Sequence, residues 1–220
     1  MHLLQPQTEV NISSLVSTLP TSDSDSSLEQ VQLSSWVNLS SEAEQVDWLI
    51  LHFNRWFSHL NVTLVKGDFE PEYFPAAENS PARIQFAHGF FNSALHEISH
   101  WTIAGDKRRL LPDLGYWYAP DGRTAEQQSL FEQVEIKPQA IEWLFAKSFG
   151  RKFRVSLDNL TGDGGDGTTF KDNVFAQVQR YFSGEAKLPR DAALFIEYIC
   201  ICTRGGKRLQ KQEFLREELG

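Results

Sequence analysis

Val46, Leu49, Ile50, Phe53, Phe57 and Leu60 recur at three- and four-residue steps, the spacing of one apolar helix face, so a helix is predicted over residues 43–60. The period then changes, and Val62-Thr63-Leu64-Val65 reads as a short strand. Gly67 to Pro75 reads as a proline-rich loop and Arg83-Ile84-Gln85-Phe86 as a second strand. A helix over 88–104 follows, which Gly105 is placed to stop. A basic and aromatic connection covers 106–123 and carries a turn signal at Pro120-Asp121-Gly122. The next helical stretch, 124–148, contains Pro138, which predicts a kink or two helices in series. Arg154-Val155-Ser156-Leu157 reads as a third strand, 162–167 as a Gly/Asp loop, and 170–183 and 189–203 as helices. Many helices with a few short strands predict an α+β fold, a mostly helical single domain with a small sheet, and not a doubly wound sheet. Residues 1–43 are rich in Ser, Thr and Gln and poor in large apolar side chains, so they predict a flexible polar extension ahead of a folded domain at 44–220.

Composition supports a real core, with 41% hydrophobic residues, sixteen Phe and six Trp among 220 positions. The net charge of −8 argues against a broad nucleic-acid-binding surface and leaves room for a local site for a cation. The two cysteines, Cys200 and Cys202, stand one residue apart in an apolar run and read as core, so no disulfide framework is expected. The start lacks the basic flank and apolar run of a signal peptide, and nowhere are there 18 consecutive apolar residues. A cytoplasmic protein without a membrane partner is expected.

The chemistry concentrates at His96-Glu97-Ile98-Ser99-His100. Side chains four apart on a helix differ by about 40° around the axis, so both imidazoles can face one ion. Glu97, beside His96, would reach a water on that ion and is the candidate catalytic acid–base group. Phe90, Phe91, Ala94, Leu95 and Ile98 would enclose the site. Two histidines need a third protein ligand. A carboxylate from the following helix is expected, with Glu132, Glu135 and Glu142 as candidates and Glu135 preferred. His88 would line the cleft or cap the helix start. Two His and a carboxylate suit catalytic zinc, and equally the facial triad of a non-haem iron(II) oxygenase.

From about 45 to 205 the chain resembles the bacterial elongation factor P hydroxylase family. The likeness runs through Arg83-Ile84-Gln85-Phe86-Ala87-His88-Gly89-Phe90-Phe91, Ser93-Ala94-Leu95-His96-Glu97-Ile98-Ser99-His100-Trp101 and Ala104-Gly105. It continues in Arg108-Arg109, in Gly115-Tyr116-Trp117-Tyr118-Ala119-Pro120-Asp121-Gly122-Arg123 and in Phe131 to Ala140, with Glu70-Pro71-Glu72-Tyr73 upstream. The resemblance implies a zinc-metallopeptidase-like core that holds iron(II) on His96, His100 and Glu135. It implies a monooxygenase that uses O2 to hydroxylate the β-lysylated lysine of elongation factor P. No 2-oxoglutarate is expected, because the histidine–x–aspartate motif of those oxygenases is missing.

Such a substrate arm is long and doubly cationic, so carboxylates at Glu70, Asp113 and Asp121 and rings at Tyr73, Tyr116 and Tyr118 are candidate contacts. The run Lys107-Arg108-Arg109 would touch an acidic partner or simply face solvent, and the Gly/Asp loop would be a surface loop or a lid. Two other readings stand beside the hydroxylase: a zinc-dependent metallopeptidase, and a non-catalytic binding module with a structural metal.

Overall fold

The structure is a computed structural model that describes residues 36–116, 122–157 and 167–220. Helix α1, Glu42–Trp56, starts at a reciprocal cap: the Ser41 hydroxyl accepts from the Glu44 N–H, and the Glu44 carboxylate accepts from the Ser41 N–H. Its apolar stripe buries Val46, Trp48, Leu49 and Phe53. The helix ends at Trp56, and a short 3₁₀ turn, Ser58–Leu60, completes the stretch predicted as helical. Trp36, upstream of α1, packs its ring against Trp48, Phe91 and Phe149.

Three strands follow: β1 (Val62–Lys66), β2 (Glu72–Phe74) and β3 (Ala82–Phe86). Their order is β1-β3-β2, with β3 parallel to β1 (Leu64 opposite Ile84) and antiparallel to β2 (Tyr73 opposite Ile84). The alternation along β3 buries Ala82, Ile84 and Phe86. β2 lies inside the stretch expected to be loop. It is three residues long, too short for a period to show.

Between β3 and the next helix His88 sits in a 3₁₀ turn at φ 51, not on the helix, as its spacing from His96 had led us to expect. Helix α2, Phe91–Arg108, has its N-terminal Phe91 N–H bonded to the Glu42 carboxylate at 3.2 Å, a favourable charge for that helix end. Gly105, the expected stop, adopts φ 65 and kinks the chain, which then continues to Arg108.

Helix α3, Ala125–Ser148, begins at a Thr124–Gln127 capping box and runs unbroken through Pro138. The carbonyl that loses its helical donor belongs to Val134, an exposed residue. The second half of α3 is buried on every side, and α3 packs against α2 as well as α4 (Thr168–Ser183) and α5 (Arg190–Arg204). Phe195 of α5 meets Phe53, Phe57 and Phe145 edge-on or tilted, which ties α1, α3 and α5 into one aromatic core.

Residues 151–157, expected to include a third strand, keep a strand-like alternation of burial but join no sheet. Side chains replace the ladder there. Gln139 donates to the Ser156 carbonyl at 2.7 Å and accepts from its N–H at 3.0 Å, while Gln128 donates to the Leu157 carbonyl. The fold is thus mostly helical α+β with a small sheet. The described residues belong to one unit, Ser35–Gly220, and none of their helices is long and apolar enough to cross a membrane.

Candidate metal centre

Helix α2 brings His96 and His100 onto one face, with their Nε2 atoms 3.1 Å apart. Helix α3 presents Glu135 to the same point: its oxygens lie 3.7 Å from His96 Nε2 and 3.2 Å from His100 Nε2. An ion with bonds near 2.1 Å at tetrahedral or octahedral angles separates neighbouring donors by roughly 3.0–3.5 Å, close to these spacings. Among the described residues these three form a group whose donor atoms all lie within 4.8 Å of one another.

The decisive feature is Glu135. It is 1% exposed, and neither carboxylate oxygen has a hydrogen bond of acceptable geometry. A buried carboxylate without donors is costly, and a cation bound by both histidines removes that cost. Burial raises the carboxyl pKa, but the charges of His100 and His96 outweigh it and hold Glu135 below its ordinary range. The donor set therefore fits a divalent ion.

Glu142 lies two turns beyond Glu135 on α3 and takes the other side of His96, with Oε2 at 2.8 Å from Nδ1. It holds the Nδ1 proton and turns the Nε2 lone pair toward His100 and Glu135. Burial alone would push the His96 imidazole down, but the hydrogen bond and charge of Glu142, with Glu135 and Glu97, lift it to about 10 in the metal-free protein. Glu132, the other candidate ligand, instead accepts a hydrogen bond from Gln128. Glu135, Gln139 and Glu142 form one stripe on α3, so a single face supplies a candidate ligand, a clamp for the segment 151–157 and a support for His96.

The centre lies in a cleft of about 1090 Å³, and Glu70, His96, Glu97, Glu135, Lys152 and Arg154 are among its lining residues. Glu97 is partly buried; burial pushes its carboxyl pKa up, and the nearby histidines only partly oppose this. The Tyr116 ring stands edge-on to His100 at 5.5 Å under the Arg108 guanidinium, and so shields that imidazole.

Of the proposed substrate contacts, Glu70 lines the cleft and is exposed. Tyr73 and Asp113 do not line it: they bond to each other through the Tyr73 N–H and the Asp113 carboxylate, and the Tyr73 hydroxyl donates to the Arg109 carbonyl. His88 is exposed on its turn and is also absent from the lining. Tyr118, Asp121 and residues 162–166 of the Gly/Asp loop lie outside the described residues. Arg108 and Arg109 are spent inside the protein, on the Leu114 carbonyl and on Asp191 and Trp101. Sequence reasoning missed Gln139 as a clamp and Lys152 and Arg154 as cleft residues. The signals were there, in the helical spacing 135-139-142 and in the polar–apolar alternation from 152 to 157.

Two histidines and a carboxylate on neighbouring helices beneath a cleft form a candidate metal centre in a helical α+β protein. Residues 52–214, which include all of these groups, match the elongation factor P hydroxylase family, and the chain belongs to that family. It is 50% identical over 146 residues to the elongation factor P lysine hydroxylase of Haemophilus influenzae, covering 66% of this chain and 81% of that protein.

Proposed function

We propose that the chain is an iron-dependent monooxygenase that hydroxylates the β-lysylated lysine of elongation factor P. The observation that carries this reading is Glu135, buried without hydrogen bonds and facing two histidines, in a member of this family. Two nitrogens and one carboxylate on one side of an ion make a donor set that leaves room for O2 and substrate. Iron(II) held there supplies the redox chemistry that an unactivated C–H bond demands and that no side chain can provide. One oxygen atom would enter the lysine side chain, and the other would leave as water with two electrons from an external reductant and two protons.

The chain's own groups have separate tasks. Glu142 fixes the tautomer and ring angle of His96. Glu97, with its carboxyl pKa raised, holds or releases a proton at its carboxylate on the cleft wall. Glu70 offers a carboxylate to an entering ammonium group. The α2–α3 pair is the part of the fold we regard as metallopeptidase-like.

The test is intact-mass analysis of β-lysylated elongation factor P after incubation with anaerobically iron-loaded protein, a reductant and O2. A gain of one oxygen atom is expected; no gain with iron shown to be bound refutes the reading. The placement of Glu97 beside His96 favours a second reading, a zinc peptidase. In that case zinc-loaded protein would cleave a peptide and Glu97→Gln would abolish cleavage.

A further inference from the structure

The segment 151–157 after α3 has two unlike faces. Phe153 is buried and stacks at 6.0 Å on Trp143, and Val155 and Leu157 pack against the core. Lys152, Arg154 and Ser156 point the other way, are exposed, and line the cleft. The segment is fixed at both ends. Gln139 grips both backbone groups of Ser156, and Arg151 is bonded to Gln45 and lies over the Phe91 ring.

Lys152 and Arg154 are therefore presented on a rigid edge, yet neither has an ion pair or a side-chain hydrogen bond among the described residues. Both heads therefore remain open to a partner that enters the cleft. Glu70 lines the same cleft, is exposed, and is likewise unpaired among the described residues. The cleft lining thus carries both carboxylates and cations.

We propose that Lys152 and Arg154 dock carboxylate side chains of the protein substrate, an acidic stretch flanking the lysine that enters the cleft. The inference rests on the proposed hydroxylase function and adds the chemistry of the partner. The two cations stand two positions apart on a segment with strand-like alternation, a separation of roughly 7 Å that matches alternate residues of an extended acidic segment. Arg154 adds a planar fork suited to a carboxylate. A nucleic acid fits less well, since its affinity depends on many phosphate contacts and the net charge of −8 repels it.

The test is calorimetric titration of β-lysylated elongation factor P into the iron-loaded protein under anaerobic conditions at low and high salt. The pair K152E/R154E should weaken binding by about tenfold or more, and the neutral pair K152Q/R154Q by less. Raising the salt should shrink the gap between wild type and variants. K207E, which changes an exposed lysine outside the cleft lining, should leave binding as it is. Affinity within about twofold of wild type for K152E/R154E overturns the proposal. So does loss of affinity for a transfer RNA with protein binding unchanged, which would assign the pair to nucleic acid. If K152E/R154E does not fold, as judged by its iron content and thermal melting, the neutral pair decides. Mass analysis of the same samples after O2 is admitted separates the two ideas. Charge-dependent binding without oxygen transfer refutes the hydroxylase reading alone, and oxygen transfer with charge-independent binding refutes the docking edge alone.

Discussion

Removing the carboxylate behind His96 should weaken metal binding without touching a ligand. Glu142 Oε2 lies 2.8 Å from His96 Nδ1, and both groups are largely shielded from solvent. Two effects of its loss oppose each other. Glu142 stabilises positive charge on the ring in the metal-free protein, where His96 is held protonated up to about 10, so removing it eases proton competition. It also stabilises the ring when Nε2 carries a divalent ion. The ion has the larger charge, and the ring must additionally keep its orientation, so the net effect is a loss. Deleting such a support costs about 10- to 100-fold in metal affinity, which corresponds to roughly 1.4–2.7 kcal/mol. Glu142→Gln keeps an acceptor at Nδ1 and should fall at the low end. Glu142→Leu leaves that N–H unpaired in a buried place and should fall at the high end. Anaerobic competition against a chromophoric chelator measures both variants, with circular dichroism as the check on folding. Wild-type affinity in Glu142→Leu would refute the reasoning.

Three further outcomes follow from the packing. Burial would raise the Asp191 carboxyl pKa, but hydrogen bonds from Arg190 and Arg109 hold it below its ordinary 3.8. Its stabilisation is therefore complete above that value and fades as pH falls through the lower folded one. Urea unfolding should show Asp191→Ala losing about 3–5 kcal/mol at neutral pH, as expected for breaking a buried ion pair, with the gap closing below pH 3.8; a gap independent of pH would contradict this. Phe195→Ala removes the ring shared by Phe53, Phe57 and Phe145 and should lower stability by about 3–5 kcal/mol in the same assay. Gln139→Leu releases both Ser156 backbone groups, so hydrogen exchange should accelerate at the Ser156 amide while α3 keeps its protection.

What could be read from the chain was what depends on near neighbours. The apolar stripe of α1 and the pairing of His96 with His100 both follow from three- and four-residue spacing. The residues that escaped are those whose partners are distant in sequence. β2 exists because Tyr73 meets Ile84 and its N–H finds Asp113 forty residues on, which no local pattern announces. Tyr73 and Asp113 accordingly hold the fold together and do not line the cleft. Pro138 allowed a kink or two helices in series, and the continuous element Ala125–Ser148 excludes the second. The segment at 151–157 has the alternation of a strand but takes its bonds from glutamine side chains. The choice among Glu132, Glu135 and Glu142 turned on the rotation of α3. In the structure, one faces the histidine pair, one supports His96 and one serves Gln128.

The stripe of Glu135, Gln139 and Glu142 has a consequence for how this protein can vary. Losing a single residue from α3 between positions 135 and 142 would rotate everything beyond it by about 100° and shift it by about 1.5 Å. Glu142 would leave His96, and a deletion before Gln139 would also free Ser156, so two functions could fail together. Substitution can adjust each group independently, but a change in length cannot. The seven-residue interval should therefore stay fixed in any descendant that keeps the centre, while loops around it are free to grow or shrink.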